Sequence, residues 1–360
     1  MKNENILELC LAPGLGGLEM FVASCYNNFS KQTSCKVVIA ANSKLDSFLD
    51  ISDKFYIKRS KFFPIFPALK LAKYIDQNEI DIIHFHWTKD IITAVLAKVL
   101  SKRKPKLVQS RHMGMTRFKD DFYHKWLYKN INMMHAVTNE VKGQLEKFIP
   151  EDVRPKLEMV YLGTEVKDID QTIVEELRKK YNLTDQFVVG IVGRMQEEKG
   201  QHKVIEAVAK LKDLNIKAFI VGSAMYDEYL HKLEQMIKEF GLEDKVVLTG
   251  FTKQVNEYMQ LFDVNVLATE HETFGLVVIE AMANKIPMIA TAKGGPLEII
   301  DDGKDGLLFD GTSDNLAQKI ELLYNNKELV QTIAQAGYEK VMKKFNMSRQ
   351  MKKLYEVLVQ

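Results

Sequence analysis

The chain is 360 residues long, 46% apolar and 27% charged, with 50 basic against 48 acidic side chains and a net charge of +2. This composition is ordinary for a soluble globular protein, and the length exceeds what one hydrophobic core usually holds, so two domains are expected. No segment approaches a membrane span, no repeat or low-complexity stretch appears, and balanced charge without further basic blocks argues against nucleic acid as a partner.

From the start, the apolar run Ile6 to Leu11 is too short for the core of a signal peptide and lacks a small-residue cleavage site, so a cytoplasmic protein is expected. Ile6 to Ala12 reads instead as a first buried strand delivering Pro13-Gly-Leu-Gly-Gly-Leu-Glu19 into a helix. The Gly-x-Gly-x-x-Gly pattern is incomplete, because Glu19 holds its last position. Gly16 and Gly17 either let a backbone approach a ligand closely or simply make a tight turn. The three cysteines, Cys10, Cys25 and Cys35, show no Cys-x-x-Cys spacing and read as reduced thiols in the core.

Strands and helices then alternate: Lys36 to Ala40, a helix within about 67 to 78, Asp81 to Phe85, a helix from about Asp90 to Leu100, and Leu107 to Ser110. That is the pattern of a doubly wound parallel sheet. His84 and His86 sit at a strand end with i, i+2 spacing, but no third metal ligand is evident, so structural or substrate-contact histidines are expected and no metal. Arg111-His112-Met-Gly114 follows the next strand. Two stretches mix cations with aromatics: Lys58 to Lys73, with Lys61, Phe62, Phe63 and Phe66, and Arg117 to Lys129, with Phe118, Phe122, Tyr123 and Trp126. Such stretches grip an anionic membrane interface, or are amphipathic helices whose aromatics are core.

The first domain is expected to end near residue 165, after a strand from Leu157 to Tyr161. Asp168-Ile-Asp170 spells Asp-x-Asp but lies in a linker, so it reads as a solvated turn. In the second half Val188 to Gly193 is a strand that runs into Arg194-Met-Gln-Glu-Glu-Lys199-Gly200, placing two cations on one strand-to-helix loop. Asp263 to Ala268 is another buried strand, followed by Thr269-Glu-His-Glu-Thr-Phe-Gly-Leu-Val-Val-Ile-Glu-Ala-Met-Ala283, in which Phe274-Gly275 opens a helix. Backbone N–H groups around Phe274, Gly275, Leu276 and Val277 would point at an anion placed there. Glu272 and Glu280 suit hydroxyls, Glu280 those of a ribose; the competing reading is a helix-dipole acid and a solvated glutamate. An acid pair for hydroxyls with a base pair for phosphates makes a nucleotide-sugar site. Ile286 to Ala290 is a further strand, Lys293-Gly-Gly-Pro296 a tight turn, and Asn315 to Gln360 nearly all helix.

Gly193-Arg194 followed by Lys199-Gly200, Glu272-x7-Glu280 enclosing Phe274-Gly275, and Gly294-Gly295-Pro296 followed by Glu298 together resemble glycosyltransferase family 4, retaining enzymes of the GT-B fold. The resemblance is strong over about residues 187 to 310 and thinner before. It implies two Rossmann-like domains facing a cleft: residues 1–165 on the acceptor side, 166–340 binding the donor, and a last helix, 341–360, packing back on the first domain. By the same resemblance Gly16 and Gly17 face the donor phosphates from across the cleft, and His112 reaches the donor sugar near its reacting carbon.

The resulting expectation is transfer of a sugar from a nucleotide diphosphate sugar to a glycan or glycolipid hydroxyl, in polysaccharide or lipopolysaccharide synthesis. Arg194 and Lys199 stabilise the departing diphosphate in place of a metal, Glu272 orients sugar hydroxyls, and no cofactor is needed. The base is expected to meet backbone around Gly250 to Thr252. A nucleotide-sugar epimerase of the same fold is one alternative, and a non-catalytic nucleotide-sugar-binding adaptor another.

Overall fold

Short apolar runs become parallel strands buried on both faces, because helices cover both sides of each sheet. The computed structural model describes residues 4–49, 54–60 and 63–360. The chain forms two compact units: unit 1 is Met1–Leu162 together with Met347–Gln360, and unit 2 is Gly163–Asn346.

Unit 1 runs β1 (Ile6–Cys10), α1 (Gly17–Phe29), β2 (Cys35–Ala40), β3 (Lys54–Ile57), α2 (Ile65–Gln77), β4 (Ile82–Phe85), α3 (Ile91–Leu100), β5 (Lys106–Arg111), α4 (Phe122–Lys129), β6 (Met133–Ala136), α5 (Asn139–Phe148) and β7 (Lys156–Met159). Among the described residues its seven strands, all parallel, lie in the order β3-β2-β1-β4-β5-β6-β7. The winding direction therefore reverses between β1 and β4.

Unit 2 runs α6 (Gln171–Lys180), β8 (Phe187–Val192), α7 (Gln201–Lys210), β9 (Ile216–Val221), α8 (Asp227–Glu239), β10 (Val246–Gly250), α9 (Val255–Met259), β11 (Val264–Leu267), α10 (Leu276–Ala283), β12 (Met288–Thr291), α11 (Pro296–Ile299), β13 (Leu307–Phe309), α12 (Ser313–Tyr324) and α13 (Lys327–Lys344). Six strands lie in the order β10-β9-β8-β11-β12-β13, again all parallel, and the reversal falls between β8 and β11. Ligands bind at such a switch point, beyond the carboxyl ends of the strands. Asp170 of the Asp-x-Asp stretch is exposed, and its Oδ1 accepts the N–H groups of Thr172 and Ile173 and caps α6.

Helix α14 (Met347–Val359) belongs to unit 1. It buries Met351, Leu354 and Leu358, sets Tyr355 5.8 Å from the Phe29 ring of α1, and offers the Leu358 carbonyl to Lys106 Nζ at 2.8 Å. Apolar burial at period 3–4 on one face is what seats it. Leu354→Ala leaves a cavity there and is expected to destabilise unit 1 by about 2–5 kcal/mol. Denaturant unfolding would show a lower midpoint at unchanged slope, and an unchanged midpoint would contradict this packing.

Candidate active site

At the switch point of unit 2, three loops meet at the carboxyl ends of β8, β11 and β12. The β11 loop is tied to the β8 loop, because Thr269 Oγ1 and Glu270 N both donate to the Glu198 carbonyl, at 2.8 and 3.2 Å. The β12 loop is tied to the β11 loop by Gly295 N, which donates to the Glu272 carbonyl at 2.9 Å. A Cβ at Gly295 would sit 2.2 Å from the Phe274 carbonyl oxygen, so only glycine lets these two backbones approach. At Gly200, φ is +74° and a Cβ would lie 2.4 Å from the Ala268 carbonyl oxygen, so the turn from Lys199 into α7 also requires glycine.

This frame brings Lys199 Nζ to 3.0 Å from Glu272 Oε2, across 73 residues of sequence. The two roles read separately from the sequence, a cation for phosphate and an acid for sugar, are thus one ion pair in the protein alone. Glu272 Oε1 has no partner among the described residues. Nearby cations are also paired, Lys203 with Glu270 and Lys232 with Glu197. Arg194 is different: it is exposed, its carbonyl accepts from Gln201 Nε2 at 3.0 Å, and its guanidinium pairs with no described residue. The helix at Phe274-Gly275 begins two residues later than the sequence suggests, at Leu276. Gly275, at φ +99°, precedes it without a side-chain cap, leaving first-turn N–H groups for an anion. Phe274 is buried and meets the Phe345 ring edge-on at 6.0 Å, so it anchors the loop. Glu280 lies in α10 with its carboxyl raised by burial, an effect that Lys167 partly offsets. An open depression of about 450 Å³ lined by Arg178, Asp185, Asp263 and Lys327 lies at the start of β8, the wrong end of the sheet for this chemistry.

In unit 1 the glycine loop is held from below. Leu11 N donates to Asp90 Oδ2 at 2.8 Å, and Ser43 Oγ donates to the Ala12 carbonyl at 2.8 Å. Burial pushes Asp90 up to about 7, against the Leu11 bond and the charge of Arg59. The loop of His112 is pinned by buried Arg111, which donates to the carbonyls of Met113 and Gly114 at 2.7 and 2.8 Å.

Beneath that loop lies a feature absent from the sequence reading. Glu8, in the middle of the apolar strand β1, is fully buried between His84 Nδ1 at 3.0 Å and His86 Nε2 at 2.6 Å. The expectation that the two histidines have no third ligand nearby is therefore corrected: Glu8, Cys25, His84 and His86 place ligand atoms within 4.8 Å of one another. Folding brings β1 and β4 side by side, with Glu8 paired to His84 in register, which no sequence spacing reveals. Because both Glu8 oxygens already accept from the histidines, we assign the group as a hydrogen-bonded network. It continues through Ser110 Oγ, 2.7 Å from His84 Nε2 and 2.7 Å from His135 Nδ1, and on to the Val160 carbonyl. His112 Nε2 joins at 3.4 Å from His86 Nδ1. The one signal in the sequence was a lone carboxylate inside a run of buried apolar residues.

Residues 173–340 match the family described as Glycosyl transferases group 1, and residues 9–139 the family described as Glycosyl transferase 4-like. A protein of Bacillus subtilis that carries the description glycosyltransferase EpsD is 29% identical over 356 residues, 92% of this chain and 91% of that one. The lipopolysaccharide core biosynthesis glycosyltransferase LpsE of Rhizobium meliloti is 31% identical over 163 residues, 45% of this chain and 46% of that one. Among solved structures, Anabaena HepE in complex with UDP and glucose superposes with a TM-score of 0.87 at 21% identity, covering 99% of this chain and 100% of that one. The fold is GT-B.

Neutral buried histidines make unit 1 acid-sensitive. Burial holds His86 down at about 4 and His135 at about 3, and keeps His112 well below its ordinary range. In the unfolded chain each titrates near 6.5. Stability from this cluster is thus fully present above about 6.5 and lost as pH falls toward the folded values, because only the unfolded state gains protons in that window. The unfolding midpoint of unit 1 should drop by roughly 5–10 °C between pH 7 and pH 5, followed calorimetrically. A midpoint that does not move over this range would contradict neutral histidines.

Proposed function

Because the chain belongs to the family 4 glycosyltransferases of the GT-B fold, we propose that it moves a sugar from a nucleotide diphosphate sugar to a hydroxyl of a glycan or glycolipid acceptor, with retention of anomeric configuration. The observation that carries this reading is the Lys199–Glu272 pair at the carboxyl ends of β8 and β11, with the exposed Arg194, whose guanidinium has no partner among the described residues, on the same β8 loop as Lys199. As the sugar–phosphate bond breaks, the diphosphate gains negative charge and the sugar becomes oxocarbenium-like. Arg194, Lys199 and the open N–H groups of Leu276 and Val277 oppose that charge, and two fixed cations take the role a divalent metal has elsewhere. Glu272 keeps one oxygen on Lys199 and offers the other to a sugar hydroxyl; Glu280 accepts from the ribose. His112 and the loop of Gly16 and Gly17 are assigned to the donor by resemblance. The acceptor oxygen attacks from the leaving-group face, and the phosphate oxygen takes its proton.

Lysine and arginine that act on developing charge should matter to turnover more than to folding. Arg194→Ala and Lys199→Ala are each expected to lower transfer on the order of 10²-fold with little change in unfolding midpoint, and excess EDTA to leave the wild-type rate intact. Slow donor hydrolysis without acceptor fits a transferase, whereas sugar interconversion would identify an epimerase and silence a binding adaptor. Near-wild-type rates in both variants would remove the diphosphate assignment.

For the acceptor we infer a lipid-linked saccharide reached at an anionic membrane surface. Phe63, just before α2, and Phe66, in its first turn, are exposed, 65% and 69% accessible, and Lys58, Lys70 and Lys73 of the same stretch are exposed too. Lys61 and Phe62 of the same stretch lie outside the described residues. In the second basic and aromatic stretch Phe122 is exposed but Leu127 and Tyr128 are core, so it divides between the two readings given above. No helix among the described residues is long and apolar enough to cross a membrane, and attachment would be peripheral. Each lysine near an anionic surface contributes about 1 kcal/mol. Replacing Lys58, Lys70 and Lys73 together by Gln should therefore cut sedimentation with anionic vesicles at low salt by roughly tenfold or more. Absence of vesicle binding by the wild type, or binding unchanged in the triple variant, would leave a soluble acceptor.

A further inference from the structure

The network under His112 has a direction that can be read from one end to the other, since each atom in it either donates or accepts. The Val160 carbonyl can only accept, so His135 Nε2 donates to it at 2.7 Å. His135 is neutral, which leaves its Nδ1 bare to accept the Ser110 O–H at 2.7 Å. The only proton on that hydroxyl is then committed, and Ser110 Oγ accepts in turn from His84 Nε2 at 2.7 Å. His84 Nδ1 donates to Glu8 Oε1 at 3.0 Å, while Glu8 Oε2 accepts from His86 Nε2 at 2.6 Å. Burial pushes the Glu8 carboxyl up, but the charge of His84 and hydrogen bonds from both histidines outweigh it and hold Glu8 down at about 2. It is a carboxylate that accepts on both sides. His86 is neutral, so its Nδ1 is bare and accepts from His112 Nε2. Phe21 of α1 closes the outer side, with ring centroids 5.7 Å from His86 and 5.1 Å from His112.

We propose that Glu8 is a positioning residue for His112: acting through His86, it holds His112 as the tautomer with its proton on Nε2, so that Nδ1 faces a bound ligand as a hydrogen-bond acceptor. This rests on the assignment of His112 to the donor sugar and deepens it, because an accepting nitrogen recognises a hydroxyl that donates. His112 Nδ1 has no partner among the described residues, as an acceptor kept for a ligand requires. Neither its own loop nor Arg111 decides the tautomer; the carboxylate two rings away does.

Glu8→Gln and Glu8→Leu separate this role from simple support of the fold. With glutamine, the amide oxygen still accepts from His86 Nε2 and the amide NH2 donates to a neutral His84 Nδ1, so every later bond keeps its direction. With leucine, His86 Nε2 loses its acceptor and nothing fixes which nitrogen of His86 is protonated. Nitrogen chemical shifts of the protein labelled with ¹⁵N-histidine, assigned with His112→Asn, read the tautomer directly at pH 7. We expect His112 to be neutral with Nε2–H in the wild type and in Glu8→Gln, and a mixture in Glu8→Leu. Turnover should fall on the order of tenfold or more in Glu8→Leu with donor KM within a few-fold, and return to near wild type in Glu8→Gln. The proposal is overturned if wild-type His112 carries its proton on Nδ1, if it is charged at pH 7, or if Glu8→Leu folds and keeps the wild-type tautomer. Should Glu8→Leu fail to fold, the wild-type and Glu8→Gln spectra decide, and loss of the Nε2–H form in Glu8→Gln counts against the proposal. A wild type without any transfer activity would remove the glycosyltransfer reading, while the nitrogen spectra would still test the role of Glu8.

Discussion

Parallel strands all end at the same edge of a sheet, and where the winding reverses two neighbouring strands send their loops apart and leave a crevice. In unit 2 those strands are β8 and β11, so residues that the chain separates by 73 positions, Lys199 and Glu272, come within a hydrogen bond. The rest of the candidate site is organised around that adjacency. Arg194 and the open start of α10 follow from it, because each leaves the end of one of the two strands.

Adjacency alone would leave three floppy loops, and the backbone ties remove that freedom. Carbonyls of Glu198 and Glu272 accept from the neighbouring loops, and glycines at 200 and 295 allow approaches of backbone to backbone that no Cβ could share. Rigid loops matter because charge stabilisation depends on donors that are already aimed when charge develops. The ion pair between Lys199 and Glu272 serves the same end. In the protein alone it holds the two side chains together and pairs two partly buried charges.

Unit 1 solves a different problem, burying one carboxylate and three histidine rings, those of His84, His86 and His135, in a sheet. A buried carboxylate is costly unless its oxygens are met by donors, and a half-satisfied network is worse than an apolar core. Here the donors run without a break from Glu8 to the Val160 carbonyl on one side and to His112 on the other. Unit 1 also contains exceptions, since the Gln109 side-chain amide and Asp90 Oδ1 are buried with no partner among the described residues. Asp90 lies directly under the glycine loop, which is where a poorly satisfied acid is most exposed to changes in that loop.

Much of this was legible in the sequence, because local pattern carries it. Continuous apolar runs mark buried parallel strands, so the doubly wound class could be read from the sequence, and the loops that follow those runs named Arg194, Lys199, Glu272 and Glu280 as candidates. Strands β3, β6, β9, β10 and β13 could not, as runs such as Lys54–Ile57 and Ile216–Val221 mix charge with apolar residues and carry no motif. What only the tertiary structure decided is which residues face one another: that Lys199 meets Glu272, that Glu8 meets His84 and His86, and that Asp90 holds Leu11. A sequence records the order of donors and acceptors along the chain, whereas pairing depends on strand order and register across the sheet, and these are set by packing many residues away.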